Sequence, residues 1–165
     1  MFTSYKRHND NLYNKLVTLS RNILFYKDLM LKDNFETRIN LIFIHFSIIL
    51  IIYKKKNTEK FPQDIFDNIF QNIEYHLREL GYGDIAVNKK MKLLSKIFYN
   101  ILLKIEKKNE RENIINYRII DEYFYYIKEN DEILSKMNDY FNSFYNYCFD
   151  KDKDNMLQEI LKFKY

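Results

Sequence analysis

Leu77-Arg78-Glu79-Leu80-Gly81-Tyr82-Gly83-Asp84-Ile85-Ala86-Val87-Asn88-Lys89-Lys90-Met91-Lys92 holds both glycines of the chain, and its reading decides how the flanking helices are joined. An apolar helical pattern runs into Gly81, a residue free to take the left-handed conformation that closes a helix. Gly83 lets the chain turn again before Asp84, and a basic helix follows. The stretch predicts two antiparallel helices joined by a Gly-x-Gly-Asp turn at the centre of the architecture. Arg78, Glu79, Gly81, Gly83 and Asp84 are expected to shape that turn. Asp84 is expected to cap the step toward Val87 by accepting backbone N–H bonds, and Glu79 to pair with a nearby lysine.

Upstream of the turn, Ile65, Phe66, Ile69, Phe70, Ile73, Leu77 and Leu80 recur on one face of a helix that Pro62 opens at its first position. Asp67, Asn68, Glu74 and Arg78 are left off that face. Downstream, Met91, Leu94, Phe98, Ile101 and Ile105 place a helix over 88–107. Nearer the start, Asp10 caps a helix carrying Leu12, Leu16, Leu19 and Ile23 and ending near residue 24. Residues 32–34 read as a loop, 35–53 as a helix and 54–60 as a charged connection. Later helices are predicted over 114–128, with Tyr117, Ile120, Phe124 and Ile127 in phase, and over 131–147, with Asp131 as cap. Residues 150–155 contain no apolar side chain and read as a linker before a short helix over 156–161. No internal repeat and no low-complexity tract is found.

With 165 residues, the chain fits one domain with one core. Hydrophobic residues make up 47% of it, yet glycine and proline total three, so turn-rich β folds are excluded. The fold class read from this is all-α: a single compact multi-helix domain over 1–165. The run LIFIHFSIILIIY at 41–53 is shorter than the roughly 17–25 apolar residues of a spanning helix. His45 and Ser47 interrupt it and Lys54, Lys55 and Lys56 stop it, which makes it a buried core helix; the lysines leave a peripheral membrane contact open.

Catalytic chemistry finds little footing. The three histidines, His8, His45 and His76, form no His-Glu-x-x-His or Glu-x-x-His arrangement, so no metal site is expected. His45 lies in the most apolar helix and reads as a core histidine donating to a backbone carbonyl. The lone Cys148 excludes an internal disulfide and sits among Tyr145, Tyr147 and Phe149 with no histidine near in sequence. Gly81-Tyr82-Gly83 follows a helix rather than a strand and lacks the rest of a phosphate-binding fingerprint. No cofactor is expected and no enzyme; a closed cavity lined by His45, His76 and carboxylates would argue otherwise.

The lysines are the remaining signal. Net charge is +4, with lysines gathered at 54–60 and at Lys89, Lys90, Lys92 and Lys96, while residues 121–132 are acidic. If the helix starts near Asn88, then Lys89, Lys90 and Lys92 lie in its first turn, against the macrodipole. An external anion, such as RNA phosphate or a lipid headgroup, would favour them there; the plain alternative is a solvated face.

Residues 77–100, LRELGYGDIAVNKKMKLLSKIFYN, resemble the signature of the ubiquinol-cytochrome c chaperone family. Matches continue upstream in order: Leu12-Tyr13 with Leu16-Val17, Arg21, Phe25-Tyr26, Asp33-Asn34-Phe35-Glu36-Thr37-Arg38, and Leu41 through His45-Phe46. The resemblance covers about 12–103. It implies an assembly chaperone that binds newly made cytochrome b for the cytochrome bc respiratory complex, complex III, and makes no bonds. Mitochondrial members engage this client at the ribosome with a small partner protein. The implied partners are nascent cytochrome b or another apolar membrane-protein client, the ribosome, and a small protein or a second copy. Lys89, Lys90 and Lys92 are then the candidates for anion contact, and Tyr82 and Tyr99 for client contact. Because the matches begin at Leu12, with no arginine-rich transit segment before them, the expected setting is the bacterial cytoplasm, at the inner face of the cell membrane. The alternative from the residues alone is a small RNA-binding or regulatory helical module that uses the lysine clusters.

Overall fold

The apolar run 41–53 forms the middle of the longest apolar helix in the computed structural model, which describes residues 10–109 and 111–165; His8 lies outside them. Seven α-helices and no strand occur among the described residues: α1 (Asn11–Ser20), α2 (Phe35–Lys56), α3 (Gln63–Glu79), α4 (Asp84–Glu106), α5 (Tyr117–Tyr123), α6 (Asp131–Phe149) and α7 (Met156–Ile160). The Asn34 side chain accepts the Thr37 N–H at 2.9 Å and opens α2. Lys54, Lys55 and Lys56 fall in its last turn, where the helix dipole favours cations. Residues 39–49 of α2 are all buried, because α1, α4 and α6 pack around it. α2 is long and apolar enough to cross a membrane, yet 78% of its most apolar window is covered by protein. The helix that organises the fold is therefore α2, rather than the pair that flanks the glycine turn.

Several local expectations are corrected. Asp10 precedes α1 but does not cap it through its side chain; its carboxylate accepts from the Nδ2 groups of Asn68, at 2.8 Å, and Asn72, at 3.2 Å, on α3. That bond is why Asn68, expected off the apolar face, is buried. α1 stops at Ser20, and a π-helical turn follows over Leu24–Asp28. The change of pitch exposes Ile23 and swings Phe25 fully into the core. Pro62 sits one position before α3 rather than inside it.

The expected helix over 114–128 is broken. Asn116 caps α5 by accepting from the N–H groups of Arg118 and Ile119, and Phe124, at φ −138° and ψ 37°, ends it before a 3-10 turn over Tyr125–Ile127. Tyr117 faces solvent instead of the core. In α6 the cap is Asn130, whose side chain accepts from Ile133 N–H at 3.0 Å, and Asp131 is an acid of the first turn. Tyr140, Phe141 and Phe144 of α6 meet the His45 ring, with centroids at 5.5, 4.9 and 5.0 Å. α7 follows the polar linker and returns the chain toward α1, where Lys15 Nζ donates to the Phe163 carbonyl at 2.7 Å.

Candidate functional site

Gly81 has φ +95°, and its amide donates to the Arg78 carbonyl at 3.0 Å while that of Tyr82 reaches back to Leu77 at 3.3 Å, closing α3. An L side chain is strained at that φ. Gly83 differs: it precedes α4 in extended backbone at φ −77° and ψ 170°, and a Cβ there would meet nothing within 4 Å. The turn does not require glycine at 83. Arg78 straddles the junction, bonded to Glu74 at 3.1 Å and to Asp84, and the two carboxylates raise its pKa further. Asp84 is thus engaged by a guanidinium rather than capping the turn with its side chain. Glu79 lies 4.0 Å from His76 Nδ1 and, among the described residues, forms no ion pair with a lysine. Leu80, expected on the apolar face of α3, is 54% exposed.

α4 begins at Asp84, four residues earlier than expected. Lys89, Lys90 and Lys92 therefore stand in its second and third turns, where the dipole has faded. Nor do they act as one cluster, since successive residues turn by 100° in an α-helix. Lys90 leans back with Nζ 4.5 Å from the centre of the Tyr82 ring, a cation–π contact. Lys89 and Lys92 share the outward face with Lys96.

Lys90 also marks the rim of a groove of about 360 Å³ between the start of α2, the middle of α4 and the segment after α5. Its apolar lining comes from Phe35, Ile39, Leu93, Leu94 and Ile97, and its aromatic wall from Tyr123, Tyr125 and Tyr126. Lys32 stands opposite Lys90, with Nζ 5.0 Å from the Tyr126 ring centre and 5.9 Å from that of Tyr125. The Lys32 amide donates to the Tyr126 hydroxyl at 3.3 Å. Below the aromatic wall, Asn100 donates to Glu122 and to the Tyr123 hydroxyl, and Lys104 pairs with Glu122. The Lys104 bond holds the Glu122 carboxyl below its ordinary range, and burial pushes the Tyr123 phenol up to about 12. These groups are committed to one another, which stiffens the wall. Leu93 and Tyr125 remain 57% and 60% exposed at the lip.

Of the residues singled out from sequence, the structure brings together Tyr82 with Lys90, and Arg78 with Asp84; Tyr99, Lys89 and Lys92 lie on another face of α4. Lys32, Phe35 and the tyrosines at 123, 125 and 126 were missed. The run Tyr123-Phe124-Tyr125-Tyr126 is the signal that points to them: Tyr123, at the end of α5, meets Asn100 of α4, and the break at Phe124 brings Tyr125 and Tyr126 to Lys32.

His45 and His76 do not meet. His45 is fully buried, with Nδ1 2.6 Å from the Leu41 carbonyl and Nε2 2.8 Å from the Tyr140 hydroxyl, and burial lowers its pKa to about 4. His76 stacks on Phe35 at 5.7 Å, with an interplanar angle of 6°. Burial pushes the Cys148 thiol up to about 12. Among the described residues no group of three or more His, Cys, Asp or Glu could hold a metal ion.

Residues 27–163 match the family model described as "Ubiquinol-cytochrome C chaperone". The match begins after α1 and takes in α5, α6 and α7, beyond residue 103, where the motif resemblance stops. No curated protein and no solved structure matches the chain.

Proposed function

We propose a function from this premise: the chain belongs to the ubiquinol-cytochrome C chaperone family. The protein holds an apolar segment of newly made cytochrome b until that segment is passed to the complex being assembled. Its work is binding, and the family is one of chaperones.

One observation supports the groove beside α4 as the holding site. It combines an apolar floor, a stiff aromatic wall and two exposed apolar side chains, Leu93 and Tyr125, at its lip. A helix is about 10–12 Å across, so a groove of about 360 Å³ takes anchoring side chains of a client helix rather than its whole girth. Helix-in-groove recognition uses such anchors at successive turns. Lys32 and Lys90 at the rim suit carbonyls at the end of a client helix. In this reading capture occurs while cytochrome b is being synthesised, on the cytoplasmic side of the cell membrane, with a small partner protein or a ribosomal contact as further elements.

The test is a photoreactive side chain at Tyr125 or Leu93 in cells making the cytochrome bc complex, with a third probe at the exposed Lys60 as control. Cytochrome b attached to the first two and not to the third is the expected result. Attachment from all three positions alike, or from Lys60 alone, overturns the assignment of the groove.

A further inference from the structure

The outward face of α4 carries Ile85, Lys89, Lys92, Lys96, Tyr99 and Leu103 in one line, at steps of four, three, four, three and four residues. That spacing returns to the same side of the helix at every turn. At 1.5 Å per residue the line is roughly 27 Å long. Every member is exposed, Ile85 by 75%, Tyr99 by 55% and Leu103 by 46%. Tyr99 and Leu103 are neighbours on this line and Ile85 stands at its other end, so three exposed apolar side chains flank the three lysines on one face.

The charge on this line is unanswered. Lys54, Lys104, Lys136 and Lys162 all pair with carboxylates, whereas Lys89, Lys92 and Lys96 form no ion pair among the described residues. The acids at the two ends of α4 are already taken, Asp84 by Arg78 and Glu106 by Lys54. Like charges held four residues apart repel, so the line gains most from a surface that brings negative charge to it.

From this register of unpaired lysines and exposed apolar side chains, we propose that the outer ridge of α4 is a membrane-docking surface for a bilayer rich in anionic lipid. The lysines reach headgroup phosphates while their stems, with Ile85, Tyr99 and Leu103, enter the boundary with the acyl chains. RNA would answer the charge but not the aliphatic side chains. A second copy laid ridge to ridge would bring the same lysines against each other. The proposal deepens the chaperone reading, on which it rests for its biological setting: Leu93 stands between ridge and groove, so docking sets the lip of the groove at the membrane surface, where an apolar client is headed.

The test uses the purified full chain without client, so it can fail independently of the crosslinking at Tyr125. Cosedimentation with vesicles of equal parts phosphatidylcholine and phosphatidylglycerol is compared with pure phosphatidylcholine. Binding to the anionic vesicles that weakens with salt is expected. The triple variant Lys89→Gln, Lys92→Gln, Lys96→Gln should bind about 100-fold more weakly, at about 1 kcal/mol per lysine. The double variant Ile85→Ser, Leu103→Ser, with unchanged charge, should lose about tenfold or more. Because the chain has no tryptophan, Leu103→Trp supplies a single fluorophore whose emission should shift to the blue on anionic vesicles. Equal binding to neutral and anionic vesicles, or triple-variant binding equal to that of the unaltered chain, overturns the proposal. Tight binding of poly(U) that the Ile85→Ser, Leu103→Ser variant retains, with no vesicle binding, would assign the ridge to RNA instead.

Discussion

The imidazole Nε2 of His45 accepts a hydrogen bond from the Tyr140 hydroxyl at 2.8 Å, with both side chains fully buried, and this bond ties the middle of α2 to α6. The other ring nitrogen, Nδ1, donates to the Leu41 carbonyl at 2.6 Å. One proton on the ring satisfies both contacts, so the neutral imidazole fits the site and the imidazolium does not.

Tyr140→Phe removes the donor and leaves Nε2 buried without a partner, so it should destabilise the fold by about 1–3 kcal/mol in urea titration. Pairing it with His45→Phe removes the orphaned nitrogen as well. The double variant should then cost less than the sum of the two single ones.

The same burial gives a pH dependence. The folded His45 has a pKa of about 4, below its ordinary 6.5. Above pH 6.5 both folded and unfolded forms carry a neutral ring and no stability is at stake. As pH falls from 6.5 toward 4 the unfolded chain takes up a proton that the folded one refuses, and stability drops by about 3 kcal/mol in all. Urea midpoints measured from pH 7 to pH 4.5 should fall more steeply for the unaltered protein than for His45→Phe.

The two glycines should behave differently. Gly81→Ala forces an L side chain to φ +95° and should cost about 1–2 kcal/mol. Gly83→Ala meets open space at an ordinary φ, and its gain through the unfolded chain is offset by the poor fit of alanine at the N-cap of α4, so it should change stability by less than about 0.5 kcal/mol. Thermal melts of the two variants separate these outcomes.

At the start of α6, Asn130→Ala should lose about 1 kcal/mol, because its side chain holds the Ile133 N–H. Asp131→Ala should lose about 0.3–1 kcal/mol, the part due to a carboxylate near the helix dipole. Equal losses would mean that the cap is shared.

The helices are legible in the sequence wherever apolar residues keep one period. Met91, Leu94, Phe98, Ile101 and Ile105 place α4, and the run at 41–53, interrupted only by His45 and Ser47, places α2, because burial on all sides leaves no polar face to alternate with. Polar partnerships are not legible. Asp10 and Asn68 are 58 residues apart, and nothing local says that a carboxylate placed to cap α1 will bond to α3 instead. Asn130 and Asp131 are both good caps, and the choice depends on which one has extended backbone. The groove is hidden for a similar reason: Lys32 and Tyr126 meet across 94 residues. The ridge could have been read from the spacing of residues 85–103, had α4 been started at Asp84 rather than near Asn88.

α2 has a consequence for how the protein comes into being. Synthesis delivers Lys56, the last residue of α2, when α1 is the only one of its covering helices that exists; α4 is complete at Glu106 and α6 at Phe149. Through that interval the young chain presents a 22-residue helix that is long and apolar enough to span a bilayer. Every copy of this chaperone thus passes through the condition of the clients proposed for it, an apolar helix waiting for α4 and α6 to cover it.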